Sequence, residues 1–207
     1  SGLNAADQHS VEAKDMWLSG TGKPHWIQYE FDQVYKVDKM WVWNSNQVVE
    51  AFVGFGAKDV AIEYSADGQT WSTLAGVPQF GRGTGEATYK ANTVVEFGCV
   101  SAKFVKLTIN SNWGGIAQQA SLSEVRFFYV PVQAREPQPA NGATEVALTD
   151  SMDWRPGREA TSHKVFFGTD SAAVAAGTAA SSTVASHGFT PASMTFGTKY
   201  FWKVDEV

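Results

Sequence analysis

The stretch KDVAIEYSADGQTWSTL, Lys58 to Leu74, decides the fold class of this chain. Val60, Ile62 and Tyr64 alternate with other residues, and a period of two places them on one face of a half-buried strand. The turn-forming run SADG follows directly at 65–68. The pattern predicts a β-strand that ends in a turn.

The same alternation recurs on both sides of this stretch. It is present in WIQYEF at 26–31 and in KFVKLTI at 103–109. No stretch keeps an apolar stripe at the spacing of an amphipathic helix. The sequence therefore predicts an all-β protein.

Composition and charge exclude several classes of protein. The chain has 207 residues and a net charge of −5, with 18% charged and 43% hydrophobic residues. It has no run of about 18 apolar residues, which a membrane span requires. It also has no cluster of Lys and Arg that would neutralise several phosphates of a nucleic acid. The chain opens at Ser1 without a methionine or a signal peptide, so we expect a piece of a longer protein with further domains.

The alternation breaks in VPVQAREPQPANGATEV at 130–146, where three prolines and a polar run disfavour a central strand. We predict a first domain at 1–130, a linker at 131–139 and a second domain at 140–207. Short strands are predicted in the second domain. They are ATEVAL (143–148), SMDWRP (151–156), SHKVFFGTD (162–170) and TKYFWKVDEV (198–207).

A set of motifs along the first domain resembles the discoidin, or coagulation factor 5/8 type C, family, including its carbohydrate-binding branch, family 32. The motifs are MWLSG (16–20), PHWIQYEF (24–31), EYSADGQTW (63–71), KFVKLTI (103–109) and SEVRFF (123–128). The resemblance implies an eight-stranded jelly-roll β-sandwich that binds a ligand on loops at one end. It also implies a structural calcium ion.

The second domain resembles a fibronectin type III domain, but only through its last strand. Tyr200, Trp202 and Val204 alternate there as in the penultimate strand of that family, where a tyrosine bonds back to the backbone. A further strand would normally follow. We therefore expect a smaller β-sandwich that is incomplete at its C-terminal strand, or an edge that is covered in another way.

The resemblance also directs attention to acidic residues near the two ends of the first domain. Calcium prefers six to eight oxygen ligands, and the family's calcium loop has diverged here to NAADQHSVEAKDMW. Asp7, Ser10 and Asp15 carry suitable oxygens, and Glu124 matches the family's closing glutamate. We predict Asp7, Ser10 and Glu124 as calcium ligands; the alternative is that they are solvated or cap turns.

Two predicted strands end in the same tripeptide, Asn-Ser-Asn, at 44–46 and 110–112. Such residues commonly form turns, which is the structural alternative. The resemblance places both loops at the ligand-binding end, where carboxamides suit sugar hydroxyls and an indole stacks on a pyranose. The predicted ligand-binding residues are Trp43, Asn44, Asn46, Glu50, Asn112 and Trp113. Phe52 and Phe55 lie nearby among glycines, and they extend the site or pack beneath it.

No motif of a hydrolase, nucleotide-binding protein or metalloenzyme is present in the sequence. We predict a non-catalytic carbohydrate-binding module of a larger extracellular or cell-surface protein, with a polysaccharide or glycan as its partner. The alternative is an adhesion or assembly module that binds a protein or lipid surface.

Overall fold

The computed structural model describes residues 6–115 and 118–207. The chain divides into two compact units, 1–130 and 131–207. No helix in the described part of the chain is long and apolar enough to cross a membrane.

The first unit is an antiparallel β-structure with two very short helices. Its strands form one continuous ladder in the order β1-β6-β2-β5-β3-β4. The elements are a 3-10 helix (Ala13–Asp15), β1 (Trp17–Leu18), β2 (His25–Asn44), α1 (Glu50–Val53), β3 (Val60–Ser65), β4 (Ser72–Thr73), β5 (Thr93–Ile109) and β6 (Ser121–Val130).

Strands β2 and β5 form a long ribbon that runs from one layer of the sandwich into the other. They pair from His25–Ile109 to Val42–Thr93, with two register shifts near the middle. One half of the ribbon pairs with β6 and the other half with β3. Bulges of this kind bend strands from one layer to the next. The predicted all-β jelly roll is confirmed.

Because the ribbon folds over, its two ends meet at one end of the sandwich. Asn44 ends β2, and its side-chain amide donates to the carbonyl of Ala57 at 2.7 Å. Ala57 in turn forms a β-bridge with Asn112, just beyond the end of β5. We call the segments 44–59, 80–92 and 110–115 the loop end. Both Asn-Ser-Asn tripeptides belong to it.

The core of the first unit follows the predicted alternation. Ile62, Val105 and Leu107 are fully buried. Ile27 and Tyr29, on one face of β2, are partly buried and pack against them. This packing fixes the strands that carry the loop end.

The second unit contains two small sheets, ordered β10-β9-β11 and β7-β8. Its elements are β7 (Arg135–Gln138), β8 (Asp153–Arg155), β9 (His163–Gly168), α2 (Ser171–Ala176), β10 (Ser181–Val184) and β11 (Phe201–Glu206). Strand β7 lies inside the stretch 131–139 that the prolines mark as a linker. A proline is tolerated there because β7 is an edge strand, which pairs on one side only.

One strand predicted in the second unit is wrong. Residues 143–148, all of which the structure describes, form no strand. They lead into a turn that the amide of Asp150 closes by donating to the carbonyl of Ala147 at 3.0 Å. Leu148 remains about half exposed.

The last strand of the second unit has the tyrosine contact that its sequence suggests. The hydroxyl of Tyr200 accepts a hydrogen bond from the backbone N–H of Thr195 at 3.0 Å. Within the part of the chain that the structure describes, β11 pairs with β9 alone. The resemblance to fibronectin type III domains and the incomplete edge remain predictions.

Candidate functional site

Asn44 ties two segments of the loop end together. Its side-chain amide donates to the carbonyls of Ala57 and Gly81, both at 2.7 Å. Its side-chain oxygen accepts from the backbone N–H of Ser45 at 2.9 Å. The residue is fully buried. Its polar atoms therefore satisfy loop backbone and not an external ligand.

Asn46, two residues further along the chain, has a similar role. Its amide donates to the carbonyl of Glu86 at 2.9 Å, and its side-chain oxygen accepts from the N–H of Gly85 at 2.8 Å. Asn46 is also fully buried. Backbone groups in glycine-containing loops often have no hydrogen-bond partner on a neighbouring strand. The side chains of Asn44 and Asn46 provide these partners instead.

Two further residues predicted to bind ligand, Glu50 and Trp43, lie beneath the surface. Glu50 begins α1, is fully buried and accepts from the N–H of Gly56 at 2.8 Å. Burial raises the pKa of Glu50 above its ordinary value. Trp43 is fully buried in the sandwich, and its indole N–H donates to the carbonyl of Asp7 at 2.9 Å. Neither side chain reaches the surface of the loop end.

Trp113 is a predicted site residue that is not fully buried. It is half-buried, and its indole N–H donates to the carbonyl of Phe80 at 2.9 Å. Its backbone N–H donates to Gly56 at 3.0 Å. The ammonium of Lys58 lies 5.0 Å from the ring centroid. The hydrogen bond from its N–H thus fixes the direction of the indole, while the residue as a whole is only half-buried.

Asn112, next to Trp113, is half-buried and holds its own loop in shape. Its amide donates to the carbonyl of Gln119 at 2.8 Å, and its side-chain oxygen accepts from Gly115 at 2.7 Å. Asn112 also lines a small cleft of about 130 Å³. The residues around the cleft are Lys23, His25, Ile109, Asn110, Ser111, Asn112, Gly115 and Ala120.

An exposed aromatic residue, Phe52, lies on the loop that touches the Trp113 loop. Phe52 is 89% exposed on α1. The two loops meet at Gly54 and Gly114, where the N–H of Gly114 donates to the carbonyl of Gly54 at 2.8 Å. A Cβ on Gly54 would lie only 2.3 Å from that nitrogen. The sequence indicated an apolar loop here, but it did not distinguish exposed Phe52 from half-buried Phe55.

The acids predicted to bind calcium do come together, but on an arginine. The guanidinium of Arg126 bonds to carboxylate oxygens of both Asp7 and Glu124. The hydroxyl of Ser10 accepts from the backbone N–H of Glu12 at 3.0 Å and does not join them. Across residues 6–115 and 118–207, no group of three or more His, Cys, Asp and Glu could hold a metal ion. The described residues do not fit a calcium cage at this position, and the calcium ion remains a prediction.

The strands of the first unit form a jelly-roll sandwich, and the loop end lies at one end of it. The F5/8 type C domain model matches residues 2–125, and the chain belongs to that family. No curated protein matches the sequence.

Several solved structures are similar to parts of this chain. One is a pectin-binding carbohydrate-binding module, with 20% identity and a TM-score of 0.41, covering 60% of this chain and 76% of that one. Another is a CBM32 module from a family 31 glycoside hydrolase of Clostridium perfringens, with 19% identity and a TM-score of 0.42, covering 55% and 74%. A third, also from Clostridium perfringens, is a CBM32 module in complex with GalNAc-β-1,3-galactose, with 18% identity and a TM-score of 0.42, covering 57% and 79%.

Proposed function

We propose that the first unit is a non-catalytic carbohydrate-binding module that binds a glycan at the loop end. The observation that carries the proposal is the half-buried Trp113, whose indole is held in one direction by a hydrogen bond to the carbonyl of Phe80. An aromatic face held in this way stacks on the C–H surface of a pyranose ring. In this proposal the chain belongs to a larger extracellular or cell-surface protein, with the second unit as a fibronectin-type spacer.

The surroundings of Trp113 supply groups for the sugar hydroxyls. Ser111 and Asn112, which precede it directly in the sequence, line the small cleft, and Lys23 of the same lining is exposed. Phe52 adds a second aromatic surface across the contact between Gly54 and Gly114. The buried residues of the loop end take part indirectly, because they hold these exposed groups in place.

A glycan array followed by calorimetry tests the proposal. The unmodified protein should bind one class of glycan, and Trp113→Ala should weaken that binding about tenfold or more, as expected for a central aromatic contact. Trp71→Ala is the matched control, since Trp71 is also half-buried but lies at the β3–β4 turn. The glycan affinity of the Trp71→Ala variant should equal that of the unmodified protein. An array without any bound glycan, or equal affinities for Trp113→Ala and the unmodified protein, would contradict the proposal.

An adhesion or assembly module is the second candidate, and one observation favours it. Val48, Val49 and Phe52 form an exposed apolar patch on the loop end. Such a patch also suits a lipid or protein surface. Co-sedimentation with phosphatidylcholine vesicles containing about a fifth phosphatidylserine distinguishes a lipid target from a glycan. Binding to vesicles that Phe52→Ala abolishes, together with a blank glycan array, would favour the second candidate.

A further inference from the structure

Arg126 occupies a central position between the start of the chain and the closing strand of the sandwich. It lies on β6 and is mostly buried, with a side chain 16% exposed. Its guanidinium donates to a carboxylate oxygen of Asp7 and, through Nε, to Oε1 of Glu124 at 2.5 Å. A further N–H lies 3.4 Å from Oε2 of Glu124. One planar cation thus pairs with two carboxylates from distant parts of the sequence.

Trp43 completes this junction from below. The guanidinium carbon of Arg126 lies 4.5 Å from the centroid of the Trp43 ring, within the range of a cation–π contact. The indole N–H of the same residue donates to the backbone carbonyl of Asp7. Asp7 is therefore held by both its side chain and its backbone. We call Asp7, Trp43, Glu124 and Arg126 the N-terminal junction.

We propose that Arg126 is the resident cation of the N-terminal junction. Its guanidinium neutralises Asp7 and Glu124 and ties the N-terminal segment to β6 at the place where the family resemblance predicts a structural calcium ion. This role is independent of the proposed glycan binding, because it involves none of the exposed residues of the loop end.

Charge and geometry support this assignment. Calcium needs about six to eight oxygen ligands, whereas oxygens of both carboxylates already accept N–H groups here. A divalent cation beside the guanidinium would also be repelled, since arginine keeps its charge at physiological pH. The hydrogen bond to Glu124, and to a smaller extent the one to Asp7, raises the pKa of Arg126 above its ordinary value. The protein thus supplies the positive charge itself.

Melting experiments with and without chelator form the first test. A sample dialysed against EDTA should melt within about 1 °C of an untreated sample, because no ligand that stabilises the folded state is removed. Elemental analysis should find no stoichiometric calcium. A melting temperature that falls on chelation and recovers with calcium would overturn the proposal.

Substitution of Arg126 forms the second test. Arg126→Gln should lower the melting temperature of the first unit by roughly 3 to 8 °C. Arg126→Lys should give a smaller decrease, because an ammonium keeps the charge without the planar fork. If Arg126→Gln does not fold, Arg126→Lys gives the measurement alone. The control is Lys103→Gln, which removes an exposed pair with Glu30 and should shift melting by about 1 °C or less.

Limited trypsin digestion adds a local readout. Cleavage after Lys14, in the 3-10 helix of the N-terminal segment, should be faster in Arg126→Gln than in the unmodified protein and in Lys103→Gln. Equal melting and equal cleavage for Arg126→Gln and the unmodified protein would show that Arg126 does not hold this segment.

Discussion

At the scale of single residues, Glu50 is the group whose charge conflicts most with its position. The carboxyl is fully buried under α1, and burial raises its pKa. A carboxyl whose pKa is higher in the folded state than in the unfolded state binds its proton more tightly when folded. Its contribution to stability is therefore complete below the ordinary pKa, about 4.3, and is lost as pH rises through the folded pKa.

Glu50→Gln should consequently become more stable relative to the unmodified protein as pH rises. The amide oxygen of glutamine can still accept from Gly56, so the loop keeps its hydrogen bond. We expect similar melting temperatures near pH 4 and a higher one for the variant near pH 7. Thermal melts across this pH range provide the measurement. A difference in melting temperature that does not change with pH would show that the pKa of Glu50 is the same in the folded and unfolded states.

The asparagines show how far a motif predicts a site. The family resemblance, and not the strand pattern, placed both tripeptides at one end of the sandwich, and the structure connects them there through Ala57. The sequence did not reveal that Asn44 and Asn46 are buried, since their partners are backbone carbonyls such as those of Ala57 and Glu86, which are distant in sequence. Trp113 was easier to place, because a glycine pair follows it and favours a loop tip.

At the scale of elements, the contact between the α1 loop and the Trp113 loop depends on glycine. Gly54 has a φ of +67°, and a Cβ there would collide with the backbone of Gly114. Gly76 has a similar φ, +71°, but has open space around it. The two glycines therefore separate the effect of backbone conformation from the effect of contact.

Gly76→Ala should cost about 1 kcal/mol of stability, the usual penalty of a left-handed conformation, and should leave glycan affinity unchanged. Gly54→Ala carries the same penalty and must also push the two loops apart. We expect it to be less stable than Gly76→Ala and to bind glycan about tenfold more weakly, since Phe52 and Trp113 lose their spacing. Calorimetry and thermal melts measure both quantities. Equal effects of the two substitutions would mean that the close contact has no role.

The turn between β3 and β4 has an acid with the opposite behaviour to Glu50. Backbone N–H groups of Thr70 and Gln69 donate to Asp67 at 2.7 and 2.8 Å, and the Ser65 hydroxyl also donates. Together these bonds lower the pKa of Asp67 to about 2. Its contribution to stability is present above the ordinary pKa of about 3.9 and is lost as pH falls through about 2.

Asp67→Ala should therefore melt at a lower temperature than the unmodified protein near neutral pH, with a difference that shrinks between about pH 4 and pH 2. Asp67→Asn keeps an acceptor for the turn and should lie between the two. Melting curves at several pH values test this order. A constant difference across the acidic range would assign the effect to the turn alone and not to the charge.

Strands could be predicted from the sequence where buried and exposed residues alternate along them. The strands that carry Ile62 and Leu107 alternate because one face packs against the core, so their sequence reports the fold directly. The stretch 143–148 also alternates, but it forms no strand in the structure. Strand β7 was hidden by its prolines for the opposite reason, because an edge strand can keep pairing around Pro137.

At the scale of the whole molecule, each of the two units has buried residues of its own. The core of the first unit is built entirely from residues before 131, and all of the groups proposed to bind glycan lie in the same range. The buried residues Trp154, His163 and Val165 of the second unit belong to its own strands. The first unit should therefore fold and bind without the second.

A fragment of residues 1–130 should bind the same glycan as the full chain, with an affinity within about twofold, because no proposed contact is lost. Trp113→Ala should weaken binding by the same factor in the fragment and in the full chain. Circular dichroism and thermal melting of the fragment confirm that it is folded before affinities are compared. A folded fragment that binds at least about tenfold more weakly than the full chain would show that residues after 130 contribute to the site. Full affinity in the fragment would place the whole binding function in the jelly roll and leave the second unit a role in spacing or assembly.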